Sequence, residues 1–368
     1  MTTIQLQTPT ATRTFWSGMT LFCLALLIAP VVASQIGGNY WVRVIDFALL
    51  YIMLALGLNI VVGYTGLLDM GFIAFYAVGA YLAALLASPH LLEVFPILTV
   101  WFPDGLHTSY LLIIPLAALV AAVCGIVLGA PTLKLRGDYL AIVTLGFGEI
   151  IRILMRNLDR PVNITNGAKG ITGVDPLNLF GLKFSGVYHW FSIKVPALWL
   201  WYYLLMLVIV AIIFVCLRLQ HSRIGRAWHA IREDEDVARA MGINVRNYKL
   251  LAFATGASFG GVAGALFGAF QGFVSPESFT LQESIAVLAM VVLGGMGHLP
   301  GVILGAVLLT ALPELLRSQA APVQQALFGT VLVDPEILRQ LFYGLALVLV
   351  MLVRPSGIWP VRHKEVKA

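Results

Sequence analysis

Charged residues are scarce in this chain of 368 residues. Asp, Glu, Lys and Arg make up only 11% of it, while 60% of the residues are hydrophobic and the mean hydropathy is +0.90. Soluble domains carry about 25% charged residues, so this composition cannot give the whole chain a water-facing surface. The formal net charge of +5 includes no dense basic block, which argues against a nucleic acid partner. The predicted solvent for most of the chain is therefore the lipid bilayer.

Cysteine is rare as well, and the motifs of metal, redox and nucleotide sites are absent from the sequence. Cys23, Cys124 and Cys216 each lie in an apolar run and form no CxxC pair, so we interpret them as small packing residues. The histidines show no metal-ligand spacing. The sequence has no GxxxxGK[ST] motif and no Gly-Lys dipeptide, which excludes a phosphate-binding loop of that type. No catalytic residue, metal site or cofactor bound by the chain itself is predicted.

Long apolar runs are what the sequence has in abundance. A membrane-spanning helix needs about 20 mostly apolar residues, and continuous rather than alternating runs favour helices over a barrel. We predict an all-α polytopic membrane protein with about ten transmembrane helices, at least one of them broken or re-entrant. The predicted spans are residues 15–32, 42–62, 67–87, 110–130, 138–156, 196–217, 249–273, 284–296, 300–316 and 337–353.

Two of these runs leave alternatives open. Residues 32–34 resemble the cleavage region of a signal peptide, but the run before them is longer than usual and only Arg13 precedes it as a positive charge, so we favour a retained first helix. The run at 284–296 is short for a crossing, and it either spans the membrane or is re-entrant.

The distribution of Lys and Arg predicts the orientation. A cluster of arginines at 218–232 places the loop 218–248 in the cytoplasm. An even number of spans then puts both termini on that side. The predicted organisation is a cytoplasmic tail (1–14), a transmembrane domain (15–354) with an outer loop (157–195), and a second cytoplasmic tail (355–368).

The cytoplasmic loop is the most informative polar stretch. Residues 224–241 are predicted to form one surface helix, which Gly242 would end. Its acidic run at 233–236 favours docking to a cytoplasmic protein over lying on an anionic membrane surface, which is the alternative. A largely apolar stripe at steps of three and four residues would face the partner, formed by Trp228, Ile231, Glu235, Ala238 and Met241.

Five segments of the sequence stand out as longer motifs. They are GYTGLLDMGFIAFYAVGAY (63–81), PTLKLRGDYLAIVTLGFGEIIR (131–152), NITNGAKGITGV (163–174), SRIGRAWHAIREDEDVARAMGINVRNYKLLAF (222–253) and SIAVLAMVVLGGMGHLPGVILGAVLL (284–309). In this order they resemble branched-chain amino acid ABC transporter permeases of the LivM type. The resemblance covers nearly everything after Trp41.

This resemblance implies a transmembrane permease subunit of an ATP-binding-cassette importer for leucine, isoleucine and valine in the bacterial inner membrane. It implies a LivH-like second permease, two ATPase subunits (LivG-like and LivF-like) that bind ATP and Mg²⁺, and a periplasmic substrate-binding protein as partners. Urea and other amino acids are alternative substrates, and an ATP-independent carrier is the alternative class. The residues assigned to ATPase coupling are Arg226, Ile231, Arg232, Glu233, Asp234, Ala238, Met241 and Gly242.

Charges and helix-breaking residues within apolar runs mark a candidate pathway. A charge at mid-membrane costs about 2.5–3.5 kcal/mol on the insertion scale, so it normally faces a cavity or pairs internally. Glu149 and Arg152 are expected to pair on one helix face, with a proton relay by Glu149 as the alternative. Glycines that break helices would expose backbone groups to substrate, or would instead permit close helix packing. The candidate pathway residues are Gly66, Asp69, Gly71, Glu149, Gly294, Gly295, Met296 and Gly297.

Overall fold

The computed structural model describes residues 9–95, 97, 106–132, 135, 137–179, 181–190 and 193–328, together with short pieces between 334 and 359. The chain is mostly helical, as predicted. Its helices are α1 (Pro9–Asn59), α2 (Ile73–Leu86), α3 (His90–Val94), α4 (Tyr110–Thr132), α5 (Asp138–Asn157), α6 (Ala197–Gln220), α7 (Arg223–Glu233), α8 (Glu235–Ala240), α9 (Val245–Gln271), α10 (Leu281–Gly294) and α11 (Leu299–Phe328).

The prediction of an all-α chain is corrected by three short two-stranded sheets. Four of the strands lie within residues 178–196 and form two hairpins, β2 (Asn178–Leu179) with β3 (Leu182–Lys183) and β4 (Val187–Trp190) with β5 (Ile193–Pro196). The third sheet pairs β1 (Ile171–Thr172) with β6 (Phe273–Val274), which follows α9. Backbone pairing thus joins this polar loop to the end of a membrane helix that lies about a hundred residues further along the chain.

The described residues contain six helices that are long and apolar enough to cross a membrane. The predicted number of about ten is not confirmed. The predicted span at 138–156 corresponds to α5, which carries four charged residues and is not one of the six. Most of 337–353 and of the tail 355–368 lies outside the described residues. The six spans are Gly38–Tyr64, Tyr110–Thr132, Ala197–Gln220, Val245–Gln271, Pro276–Gly294 and Leu299–Arg317. The short run at 284–296 overlaps the fifth of them, in which a 3-10 turn at Pro276–Ser278 precedes the 14 residues of α10.

The first two predicted spans belong to one long element, α1. A straight helix of 51 residues would be about 77 Å long, more than twice the roughly 30 Å hydrocarbon core. Gly38 interrupts it with a left-handed φ of 69°. Before this break, the carbonyls of Leu26 and Leu27 accept hydrogen bonds from the hydroxyls of Tyr202 and Tyr203 on α6, at 2.8 and 2.9 Å. The predicted tail 1–14 is helical from Pro9 onward.

The predicted span at 67–87 is broken. After α1 the chain makes a π-helical turn at Ile60–Tyr64 and continues without helix from residue 66 to residue 72. Gly66 starts this stretch with a φ of 72°, which an L side chain rarely adopts. The remaining helix, α2, has 14 residues and covers only about 21 Å. The expected broken helix therefore lies here, with α2 starting within the predicted span.

Helix α9 lies at the centre and packs against α1, α2 and α4 through small residues. A Cβ atom on Gly264 would overlap the carbonyl oxygen of Tyr76 in α2, and one on Gly79 would overlap that of Gly261. The glycines at steps of four residues therefore permit close helix packing, which confirms that interpretation for Gly264.

Candidate functional site

The loop 218–248, predicted to be cytoplasmic, forms two helices rather than the single one predicted. Ser222 begins α7 by accepting hydrogen bonds from the backbone N–H groups of Ile224 and Gly225 at 3.1 and 3.2 Å. Asp234 is extended (φ −155°, ψ 116°) and ends α7. Its carboxylate then caps α8 by accepting from the N–H groups of Asp236 and Val237 at 2.8 and 3.0 Å. Asp side chains favour such N-cap positions, which is why the helix breaks at this residue.

The apolar stripe of this loop is largely used inside the protein, so the predicted partner-facing stripe is wrong for three of its members. Trp228 is fully buried, stacks on Tyr64 with ring centroids 6.3 Å apart, and donates its indole N–H to the carbonyl of Tyr248 at 2.8 Å. Ile231 and Ala238 are buried in a small cluster. The stripe therefore anchors α7 and α8 to the membrane helices.

A buried ion pair holds α8 in place. The ammonium of Lys249, whose side chain is 3% exposed, lies 2.7 Å from a carboxylate oxygen of Glu235, and Arg239 lies 3.1 Å from the other oxygen. Lys249 is near the start of α9, so this contact links α8 to the central helix of the fold.

The outward face of the two helices stays exposed and mixes apolar and charged residues. Val237 and Met241 are 58% and 79% exposed, which is unusual for large apolar side chains. Gly242 ends the segment with a left-handed φ of 84°, as the sequence predicted. We call this face the docking face; its exposed residues are Arg226, Glu233, Asp234, Val237, Arg239, Met241 and Gly242.

Arg232 differs from its neighbours because its guanidinium reaches toward the membrane helices. It donates to the carbonyl oxygen of Gly63 in the π-helical turn. Its stem lies against Gly66, where a Cβ would be 3.1 Å from the Cγ of Arg232. A Cβ on Gly297 would lie 2.9 Å from the Nη1 atom. One side chain of the loop therefore touches two helix breaks that are far apart in sequence.

The two helix breaks also contact each other directly. The side-chain oxygen of Asn59, a fully buried residue, accepts a hydrogen bond from the N–H of Gly297 at 2.8 Å. We call the group of Asn59, Gly63, Gly66, Arg232 and Gly297 the junction. It is closely packed, because a Cβ on Gly63 would lie 2.6 Å from the nitrogen of Gly297.

The other residues of the Gly294–Gly297 turn pack around the junction. Gly294 ends α10, and Gly295 follows it with a φ of 110°. The N–H of Ile358 donates to the carbonyl of Leu293 at 2.8 Å, which brings residues near the carboxyl terminus to this turn. Met296 is partly buried against the main core.

A histidine of α7 packs beside Arg232 and against Tyr64. His229 lies 5.6 Å from the Tyr64 ring, measured between centroids. Burial lowers the pKa of His229, and the positive charge of Arg232 lowers it further. The imidazole is therefore held neutral near pH 7, and it adds no charge that would compete with Arg232.

Hydrogen bonds from α5 and α10 hold the non-helical stretch at residues 66–72. The Thr144 hydroxyl accepts from the N–H of Met70 at 3.0 Å, and the Ser284 hydroxyl donates to the Met70 carbonyl. Asp69 is 2% exposed; one of its oxygens accepts from the N–H of Gly71 at 2.9 Å, while the other accepts no hydrogen bond from the described residues. A Cβ on Gly71 would overlap the carbonyl oxygen of Thr144, so only glycine fits.

Glu149 and Arg152 pair as predicted. The Nε atom of Arg152 lies 3.1 Å from both carboxylate oxygens of Glu149. Arg152 also approaches Glu277 at 3.4 Å. Glu149 thus belongs to an ion-pair group that Arg152 joins to Glu277, separate from the junction, and the pairing gives no support to a proton relay.

The structure brings Arg232, Gly66 and Gly297 together in the junction and places Asp69 and Gly71 in the stretch that follows it. Asn59, Thr144 and Ser284 were missed as site residues. Their signal was weak, since a polar side chain within an apolar run also fits an ordinary intrahelical hydrogen bond. Within the described part of the chain, no three His, Cys, Asp or Glu residues are grouped so that they could hold a metal ion.

Comparison with known proteins assigns a family to this arrangement. Residues 40–351 match the family described as branched-chain amino acid transport system / permease component. The chain belongs to this permease family. It is 41% identical over 360 residues to the high-affinity branched-chain amino acid transport system permease protein LivM of Escherichia coli (strain K12), covering 94% of this chain and 76% of that protein. No solved structure matches the chain.

Two further relatives extend the comparison. The LivM protein of Salmonella typhimurium is 42% identical over 94% of this chain and 76% of that protein. The LivH permease of the same organism is 26% identical over 84% of this chain and 90% of that protein. Both types of permease are thus related to this chain, which implies a transport system with a second permease.

Proposed function

We propose that this chain is the membrane-spanning permease subunit of an ATP-driven importer for leucine, isoleucine and valine. The observation that carries the proposal is the 41% identity, over 94% of the chain, to a protein named as a branched-chain amino acid permease. The junction supports it, because Arg232 connects the cytoplasmic loop to a broken membrane helix. The sequence has no phosphate-binding loop of the GxxxxGK[ST] type, so if ATP drives transport its hydrolysis takes place on another chain.

The proposed assembly contains four kinds of partner around this subunit. A LivH-like permease completes the pathway, and LivG-like and LivF-like ATPases bind ATP and Mg²⁺ below the docking face. A periplasmic binding protein delivers the substrate on the side of the loop 157–195. The assembly lies in the bacterial inner membrane with both termini of this chain in the cytoplasm. The contact between Ile358 and Leu293, near the junction, supports a carboxyl terminus on the same side as the docking face.

The pathway is proposed to run beside the broken helix. Discontinuous helices in transporters line substrate sites with non-helical backbone, and residues 66–72 form such a stretch here. Asp69 lies in this stretch, and the Gly294–Gly297 turn adjoins its cytoplasmic end. Movement of α7 would reach both through Arg232.

A substitution on the docking face should weaken assembly with the ATPase subunits and leave folding of this chain intact. Val237→Glu places a charge on the exposed face, and we expect it to reduce co-purification of the ATPase subunits at least about tenfold, as loss of an apolar interface anchor does. Insertion and thermal stability should stay unchanged, because Val237 is 58% exposed. Asp234 is unsuitable for this test, since its carboxylate caps α8.

Asn247→Glu provides the matched control for this variant. It adds the same charge at an exposed position of the cytoplasmic side, beyond the docking face. Equal ATPase recovery with both variants would contradict the proposed docking face.

Substrate uptake tests the proposed function itself. The complete set of subunits, reconstituted in proteoliposomes with ATP inside, is expected to import radiolabelled leucine, and excess isoleucine or valine should compete. Excess urea should leave leucine uptake unchanged. A complex that hydrolyses ATP and imports urea but not leucine would overturn the substrate assignment.

A further inference from the structure

A cavity of about 530 Å³ lies between α1, α10 and α11, apart from the junction. Its walls are mainly apolar, with Val44 and Phe47 from α1, Met290 from α10 and Leu309 from α11. Ligand sites typically occupy about 300–1,000 Å³ and combine apolar walls with a few polar groups. The size and the walls therefore suit a small, partly apolar ligand.

The polar groups of this cavity are acidic. Glu283 enters from α10 and accepts a hydrogen bond from the hydroxyl of Tyr51 at 2.7 Å. Glu314 enters from α11; its Oε1 atom is buried and accepts no hydrogen bond from the described residues. Glu314 also pairs with Arg317, which lies 3.7 Å away on the same helix and whose side chain is 57% exposed.

The electrostatic consequence is a cavity that favours cations. None of the described residues that line it is Lys, Arg or His. Arg43 lies near Phe47, but its guanidinium donates to the side chain of Gln271 at 3.0 Å. Acidic side chains within membrane helices normally face a partner charge or a cavity, because an isolated charge in hydrocarbon is costly. Two carboxylates from different helices thus face a mainly apolar space, and the described residues that line it supply no positive charge.

We propose that this cavity binds the ammonium group and apolar side chain of the transported amino acid, with Glu283 and Glu314 as the anionic ligands. The proposal rests on the proposed function, since it names a binding site for the same substrate. The carboxylates attract the ammonium, the apolar walls contact the branched side chain, and Tyr51 holds Glu283 in position. The site disfavours fatty acids and other ligands that carry a negative charge without a positive one, because these bring no counter-charge to Glu283.

Charged thiol reagents test this site directly. Ile285 lines the cavity and is 47% exposed, so Ile285→Cys is introduced into a chain whose Cys23, Cys124 and Cys216 are replaced by alanine. In the assembled complex we measure the ratio of the reaction rates with a cationic and with an anionic methanethiosulfonate. We expect this ratio to be about tenfold higher than the same ratio for a free thiol in solution. Leucine should slow the reaction, whereas 4-methylpentanoate, which lacks the ammonium, should not.

The double variant Glu283→Gln/Glu314→Gln should bring the preference for the cationic reagent close to the solution value and abolish protection by leucine. Glu93→Gln, which removes an exposed acid on α3, serves as the matched control and should change neither result. An unchanged preference in the double variant, equal protection by 4-methylpentanoate, or no reaction at all would overturn the proposal. Leucine uptake by the wild-type complex is measured in parallel, so a failure of this site is distinguishable from a failure of the import function.

Discussion

Replacing Arg232 by methionine is expected to lower leucine uptake at least about tenfold while the ATPase subunits stay bound. The guanidinium is the only group of the loop recorded as donating to the carbonyl of Gly63, and methionine keeps the apolar stem without that hydrogen bond. A hydrogen bond from a charged group contributes about 1.5–3 kcal/mol, which is in the range of coupling energies between sites. Its loss should therefore separate motion of the docking face from motion of the helix breaks.

The measurement for Arg232 combines uptake with ATP hydrolysis in the same proteoliposomes. We expect hydrolysis to continue while the number of leucine molecules imported per ATP falls. Arg246→Met is the matched control, because Arg246 is exposed in the first turn of α9. Two outcomes would contradict a coupling role for Arg232: uptake equal to that of the control, or loss of the ATPases from the complex.

Gly264→Ala is expected to destabilise the membrane domain by at least about 1–3 kcal/mol, the typical cost of an overpacked core. An added Cβ would overlap the Tyr76 carbonyl oxygen and lie 2.8 Å from the nitrogen of Ala80, so α2 and α9 would have to separate. Backbone atoms cannot move aside as a flexible side chain can. The effect is measured as a change in the thermal midpoint of the purified complex. The midpoint is obtained from the fraction of the complex that remains monodisperse after heating.

Gly146→Ala supplies the comparison for Gly264. Gly146 lies within α5, and a Cβ there would meet no atom within 4 Å. Because alanine favours helix by up to about 1 kcal/mol over glycine, this variant should be neutral or stabilising. If both variants lowered the midpoint equally, the close contact of α2 with α9 would not be the cause.

The apolar runs predicted most of the membrane helices correctly, but they could not predict how the run at 67–87 ends. Its residues are apolar enough for a continuous helix, and only Gly66 and Gly71 weakened that interpretation. The non-helical stretch is held by Thr144 and Ser284, which are far away in sequence. Hydropathy indicates whether a segment lies in lipid or in water. The backbone conformation of this segment depends instead on hydrogen bonds from two other helices.

The packing of the loop 218–248 could also be predicted only in part from the sequence. The period of three and four residues correctly predicted helix and a stripe, yet the stripe packs inward because Trp228 meets Tyr64 and Tyr248. A periodic apolar face predicts burial but not whether the covering surface belongs to the same chain. Arg232 was predicted as a coupling residue, and its direction toward Gly63 became visible only in the folded structure. The coupling and pathway roles of these residues remain predictions.

Leucine uptake with single components omitted tests the central claim most directly. Proteoliposomes would contain this chain with its second permease, both ATPases, the binding protein and ATP, and each component would be left out in turn. The import function proposed here predicts uptake only with the complete set and none with this chain alone. ATP-independent uptake by this chain alone would contradict it and would identify the protein as a self-sufficient carrier.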